Sequence, residues 1–275
     1  MTDRRLTPAN GRVAHLSLKG RVAAGRFVAG DWARVGVPVA DLLASPGGAR
    51  DRQVLLGDRV LVLERAGGFA FLRAEKDGYC GYVAETALDA DAEVTHWVSA
   101  PACHIYSAPD IKQPERARLT LGARVRVAGQ SGPFAELAQG GFVPARHLAR
   151  IGDWADDPAE VAGLLAGTPY LWGGNSRDGL DCSGLVQAAM LASGRDCPGD
   201  SDMQETFFPP RPEGDESFRR GDLIFWKGHV ALALDATRMI HANAHHMAVA
   251  EEDIAGAIER IKAHGGGMPT SVRRP

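Results

Sequence analysis

The strongest constraint on how this chain can fold is a pattern that occurs twice. Leu119-Thr120-Leu121-Gly122-Ala123 parallels Val54-Leu55-Leu56-Gly57-Asp58, and Val125-Arg126-Val127 parallels Val60-Leu61-Val62-Leu63. Phe134 to Leu137 parallels Phe69 to Leu72, and Gly140-Gly141-Phe142-Val143-Pro144 parallels Gly81-Tyr82-Val83. A block that returns after about sixty residues is one folding unit used twice. Each copy consists of short apolar runs cut by turn residues. In the first copy Val37 to Leu42 is followed by the turn Ser45-Pro46-Gly47-Gly48, then by Val54 to Asp58 and Val60 to Leu63. Gly67-Gly68 and Asp77-Gly78 separate the last runs, which end at Tyr79 to Val83. The second copy opens with strand-like Val94 to Val98 and Cys103 to Tyr106. Short strands with glycine turns at this spacing read as small β-barrels. Two barrels are expected, over residues 33–92 and 93–150, after an extended arm with a little helix at 1–32.

The texture changes at Asp153. Asp153-Trp154-Ala155-Asp156-Asp157-Pro158 reads as a linker and helix start, and Glu160 to Ala166 as a helix stopped by Gly167. A second helix is expected from Ser183 to Ser193, with Leu185, Val186, Ala189 and Met190 on one face. Asp222 to Trp226, His229 to Leu234 and Met239 to His241 read as strands. Residues 153–275 are therefore expected to be an α+β domain, helices first and a mostly antiparallel sheet after.

Charge and hydropathy exclude several functions. A net charge of -3 with scattered basic residues gives no nucleic-acid-binding face. No apolar run approaches the roughly 18 residues of a membrane span. Arg4 and Arg5 are followed by turn-like Leu6-Thr7-Pro8-Ala9-Asn10-Gly11 rather than the apolar core of a signal peptide, so the cytoplasm is the expected location. The four cysteines, Cys80, Cys103, Cys182 and Cys197, form no Cys-x-x-Cys pair. That argues against a structural zinc site, and a cytoplasmic chain of this size argues against a disulfide framework. Cys80, Cys103 and Cys197 read as buried, inert thiols.

Cys182 differs from them by position. It follows the loop residues Gly173-Gly174 and Gly179 and opens an amphipathic helix. A helix N-terminus favours a thiolate, and its free N–H groups can hold an oxyanion. Asp181 stands where a carboxylate caps that helix. The partner base is expected on the strands. A hairpin turning near Asp235 to Ala236 sets His241 opposite or diagonal to His229. Such a neighbour can fix the tautomer of the first ring, as an aspartate does in serine proteases. Cys182 as nucleophile, His229 as base and His241 as orienting group make a papain-like constellation. A metal site of His241, His245 and His246 is the competing reading of the same segment, and an exposed loop is the reading preferred for His245 and His246.

These residues also carry a resemblance. Tyr170-Leu171-Trp172-Gly173-Gly174 followed by Asp181-Cys182-Ser183-Gly184-Leu185-Val186 resembles the NlpC-type cell-wall cysteine peptidases. Arg220-Gly221-Asp222-Leu223-Ile224-Phe225-Trp226 with Gly228-His229-Val230 is similar to the segment around that family's catalytic histidine, and Met239-Ile240-His241-Ala242 to its third catalytic position. The two upstream units resemble the bacterial SH3-like domains of one subgroup, the γ-D-glutamyl-L-diamino acid endopeptidases.

The resemblance implies two SH3-like barrels followed by a papain-like NlpC-type domain, and attack by Cys182 on the amide between γ-D-Glu and the diamino acid of a murein peptide with free N-terminal L-Ala. It implies that Asp181 binds the terminal ammonium, that Ser183 and the Ser201 segment bind the D-Glu carboxylate, and that Tyr170 lies near the oxyanion. Gly199 stands where the family often has an arginine. An aromatic from the first barrel closes the amine end in related enzymes; Tyr79 is the best match and Tyr82 the alternative, with barrel packing as the other reading of both. No metal or organic cofactor is implied. The partner is the murein peptide, with no nucleic acid and no membrane, and the role is cell-wall peptide recycling. The rival readings are an amidase or acyltransferase on the same scaffold, and a cell-wall-binding protein with an inactive peptidase domain.

Overall fold

In the first part of the chain the doubled sequence pattern becomes a doubled topology. The computed structural model describes residues 3–275 and resolves into two units, one running to Ile151 and one from Gly152 to Pro275. The first copy within unit one has strands Asp31–Val35, Val39–Leu43, Arg50–Leu55, Arg59–Ala66, Phe69–Ala74 and Cys80–Ala84, a 3-10 turn Glu85–Ala87, and a strand Leu88–Ala90. The second has His96–Val98, Ala102–Tyr106, Glu115–Thr120, Arg124–Val125 with Val127–Ser131, Phe134–Leu137, Phe142–Pro144, the 3-10 turn Ala145–His147, and Leu148–Arg150. Both copies pair alike: the first strand with the fourth and the last, the second with the third and sixth, the fifth with the fourth and sixth. The second copy's fourth strand is interrupted at Arg126. The seven-stranded sheet of copy one therefore appears in copy two as a five-stranded and a three-stranded sheet. Each copy buries its own cluster: Leu61, Leu63, Phe71 and Tyr82 in the first, Val98, Leu119, Val125 and Leu137 in the second.

Three details depart from the sequence reading. Arg50-Asp51-Arg52-Gln53 is a strand, although its side chains are polar. It is tolerated because Gln53 donates to Asp41 Oδ1 at 3.0 Å across the pair. Val54 to Asp58 is only the end of that strand and a turn, which Asp58 ties by accepting from Leu55 N at 2.9 Å and Lys76 Nζ at 2.6 Å. The expected arm also contains structure. Val13–His15 pairs in parallel with Arg26–Val28, Val13 packs into the first copy's apolar cluster, and the first barrel strand already starts at Asp31.

Unit two begins with the helix Pro158–Leu164, started by Asp157, which accepts from Ala159 N at 2.8 Å, and by proline in the first turn. The helix Cys182–Ala192 buries Leu185, Val186, Ala189 and Met190 and packs on the strands His229–Ala233 and Arg238–Asn243. The sheet is antiparallel throughout, in the order Ala248–Asp253, Arg238–Asn243, His229–Ala233, Leu223–Trp226, Ser271–Arg273. Leu223-Ile224-Phe225-Trp226 is buried at every position, as expected for a strand covered on both faces. Ile224, Trp226, Ala231, Ala233 and Met239 pack against Ile254 and Ala257 of the helix Ile254–Ala263. Each such large apolar side chain stabilises the domain by about 1.5–3 kcal/mol. The helix Ser201–Phe207 and the elements after Asn243 extend the sequence reading, which ended its strands at His241.

Candidate active site

The site is built at the start of one helix and on two neighbouring strands. Cys182 is the first residue of the helix Cys182–Ala192, and Asp181 is its N-cap. Asp181 Oδ1 accepts from Gly184 N at 2.6 Å and from Ser183 Oγ at 3.0 Å, while Oδ2 accepts from Gly173 N at 2.9 Å. One carboxylate thus caps the helix and ties the Gly173-Gly174 loop to it. The two backbones touch: a Cβ added at Gly184 would lie 2.2 Å from Gly174 O. This close approach explains a glycine two residues after the cysteine.

Tyr170 stands beside this helix start. Its phenol is pushed up to about 12 by burial, reinforced by the charges of Cys182 and Asp181. Ser183 is buried, its hydroxyl directed at Asp181. Ser201 opens the helix Ser201–Phe207 and is half-buried. Gln204, fully buried, donates to Ser183 O at 3.0 Å and to Pro198 O at 3.0 Å, which fastens the Ser201 segment to the cysteine helix. All four thiols are buried, and only Cys182 opens a helix. Cys80 and Cys103 are pushed up to about 12 by burial, and Cys197 is buried.

The histidines come from a hairpin. Leu232 pairs with Ile240 and Ala233 with Met239. Continuing this register sets His241 across from Ala231, so His229 is its diagonal neighbour on the same face. His229 Nε2 and His241 Nδ1 are 2.8 Å apart. His241 is almost fully buried, with its Nε2 2.8 Å from Glu252 Oε1. Arg260 closes the chain, donating from Nη2 to Glu252 Oε1 at 2.5 Å and from Nε to Oε2 at 3.3 Å.

This environment favours neutral imidazoles. Burial, then the neighbouring His241 and Arg260 charges, lower His229 to about 3, against a weaker opposing pull from Glu252. Burial also lowers His241, again opposed by Glu252. Burial raises the Glu252 carboxyl, but the hydrogen bonds from Arg260 and His241 outweigh it and the net shift is downward. A neutral imidazole can accept a proton, which is what activation of a thiol requires.

His245 and His246 lie exposed after Asn243, and His246 Nδ1 is 3.1 Å from Asn243 Oδ1. Among the described residues no group of three His, Cys, Asp or Glu side chains is arranged to hold a metal ion. Tyr79 and Tyr82 belong to unit one. Tyr82 packs on Phe71, ring centroids 5.0 Å apart, within the first copy's apolar cluster, and Tyr79 is buried. Among the described residues no helix is long and apolar enough to cross a membrane.

The NlpC/P60 family profile matches residues 167–263, the segment that holds Cys182, His229 and His241. The chain carries an NlpC/P60 cysteine-peptidase domain. A bacterial dipeptidyl-peptidase SH3 domain profile matches residues 42–88, ahead of it. The chain is 28% identical over 214 residues to a γ-D-glutamyl-L-lysine dipeptidyl-peptidase of Bacillus subtilis (strain 168), covering 69% of this chain and 71% of that protein. It is 36% identical over 99 residues to dipeptidyl-peptidase 6 of Lysinibacillus sphaericus, a match that spans only 36% of that relative's length. In fold it is similar to an NlpC/P60 family protein from Bacillus cereus ATCC 10987, with a TM-score of 0.74 over 89% of this chain and 99% of that one, at 21% identity. At that identity the likeness is one of fold.

Within the NlpC/P60 domain, Glu252 and Arg260 are the site residues that sequence reading missed. A signal existed: Ala248 to Asp253 follows a short turn after the His241 strand. Once that strand is allowed, Glu252 falls diagonal to His241, which pairs with Ala250.

Proposed function

We propose that this chain is a cysteine endopeptidase that cuts the γ-D-Glu–diamino acid bond of murein peptides bearing a free N-terminal L-Ala, in cytoplasmic recycling of cell-wall peptides. The observation that supports the reading is that a helix-start cysteine and a hydrogen-bonded His229–His241 pair occur in one NlpC/P60 domain that follows a dipeptidyl-peptidase-type SH3 domain. The relatives' names support the bond type.

In this reading His229 takes the thiol proton and Cys182 Sγ attacks the γ-carbonyl carbon of D-Glu. Backbone N–H groups at the helix start, together with Tyr170, hold the oxyanion. His229 then gives its proton to the departing α-amine of the diamino acid, leaving a thioester. Water, deprotonated by His229, attacks the thioester; L-Ala-γ-D-Glu leaves and the thiol is restored. Ser183 and Ser201 bind the D-Glu α-carboxylate. An ionised carboxylate has about four acceptor positions. Asp181 spends three on Gly184, Ser183 and Gly173, so one is open for the substrate ammonium. The same three bonds favour a second reading of this residue alone, as helix cap and loop tether without a role in binding.

The test is product analysis by mass spectrometry after incubation with L-Ala-γ-D-Glu-meso-diaminopimelate, its lysine counterpart, and the N-acetylated form of each. The reading expects L-Ala-γ-D-Glu and the free diamino acid from the unblocked peptides. Acetylation should cost about tenfold or more in kcat/KM, the scale of one charge-assisted contact. Equal cleavage of blocked and free peptides reduces Asp181 to its structural role. Release of any other fragment overturns the bond assignment.

A further inference from the structure

The hydrogen-bond chain does not end at His241, and its far end decides where the protons sit. An ionised carboxylate only accepts. Glu252 Oε1 is 2.8 Å from His241 Nε2, so in neutral His241 the proton must be on Nε2. His241 Nδ1 is then an acceptor. The atom 2.8 Å from it, His229 Nε2, must be the donor. A neutral imidazole carries one N–H, so His229 Nδ1 is left with a free lone pair. One carboxylate therefore dictates two tautomers in sequence and fixes which nitrogen of His229 is basic.

We infer that Glu252, held by Arg260, is a positioning residue that sets the tautomers of His241 and His229 and so makes His229 Nδ1 the base. The surroundings are built for this. Arg260 reaches both carboxylate oxygens from the helix Ile254–Ala263, which orients them and keeps them ionised. His246, from the turn after Asn243, stands 3.4 Å from Oε1. His241 faces the carboxylate from the neighbouring strand, and His229 lies beyond it. When His229 takes a proton the positive charge is shared along the chain toward Glu252, which stabilises it. Four successive elements, the strands His229–Ala233, Arg238–Asn243 and Ala248–Asp253 and the helix Ile254–Ala263, bring the two histidines, the carboxylate and the guanidinium into one line.

The inference rests on His229 acting as base in the reading above, but one of its tests needs no substrate. In the wild-type protein with ¹⁵N-labelled histidine, NMR at neutral pH should show His241 and His229 both protonated at Nε2. A Nδ1–H tautomer at His229 overturns the inference even if the peptide is cleaved as proposed. The second test is kinetic. Glu252→Gln keeps an acceptor oxygen and removes the charge. It should lower kcat about tenfold or more while KM stays within about threefold, the scale of other outer partners of reactive groups. The acidic limb of the kcat profile should move to lower pH, because losing the carboxylate disfavours the imidazolium. A limb that stays in place, whatever happens to kcat or thermal stability, assigns Glu252 a merely structural role and overturns the inference. If no murein tripeptide is cleaved at all, the substrate reading fails while the tautomer measurement still decides this one.

Discussion

His229 Nε2 lies 2.8 Å from His241 Nδ1, although the two residues are diagonal and not directly opposed in their hairpin. The contact puts different demands on the two rings. In the proposed mechanism His229 moves protons, whereas His241 orients it. His229→Ala should therefore lower kcat/KM nearly as much as loss of the thiol. His241→Gln, which can still place a polar atom there, should hurt less. The orienting aspartate of serine proteases is worth up to about four orders of magnitude, which bounds the loss at His241. Steady-state kinetics of both variants decides it, and a fully active His241→Ala protein would demote that residue to packing.

The same buried pair makes the domain acid-sensitive. His229 is lowered from 6.5 to about 3 by burial and by the His241 and Arg260 charges. Between those values the unfolded chain binds a proton that the folded chain refuses. Stability is thus fully present above the ordinary histidine range and is lost as pH falls toward 3. His241, also lowered, acts with the same sign, and Glu252 adds to it below its ordinary 4.5. The midpoint of thermal unfolding should fall between about pH 7 and about pH 4, and His229→Gln should flatten that fall. An unchanged profile in the variant would show that His229 does not carry the linkage.

Gly184 tests how Cys182, the proposed nucleophile, is seated. A methyl group there would meet Gly174 O at 2.2 Å, a backbone atom that cannot swing aside. Gly184→Ala must separate the helix start from the Gly173-Gly174 loop or break Asp181's bonds to Gly173 and Gly184. A shift of about 1 Å at a reacting atom can cost a hundredfold in rate. The variant should lose about that much in kcat. Gly163→Ala, in a helix with open space around it, should leave activity unchanged. Comparable activity in both variants would contradict the tight seating.

Much of this was legible in the sequence, for reasons that can be named. The repeated barrel was readable because runs such as Val60 to Leu63 and Phe69 to Leu72 are apolar and end in glycine turns. The cysteine helix was readable because cap, helix face and stop signal agree at Asp181, Leu185 to Met190 and Gly194. Arg50 to Gln53 was not readable, since its strand conformation is imposed by pairing with Val39–Leu43 and not by side-chain pattern. Glu252 was missed for a related reason. Ala248 to Asp253 carries three consecutive acidic residues and looks like a solvated loop, yet in the sheet Glu252 turns to His241 and Arg260. The two-residue offset between opposite and diagonal partners in the histidine hairpin is set by the turn, and composition does not encode it.

The central claim is that Cys182 is the nucleophile of a peptidase. It is tested most directly by kcat/KM for L-Ala-γ-D-Glu-meso-diaminopimelate in wild type and Cys182→Ala, with folding of both checked by circular dichroism. The account predicts that the variant folds as wild type and retains less than about 0.1% of its activity, and that thiol alkylation of the wild type abolishes cleavage while chelators leave it untouched. A folded Cys182→Ala protein that still releases L-Ala-γ-D-Glu at a substantial fraction of the wild-type rate would contradict it.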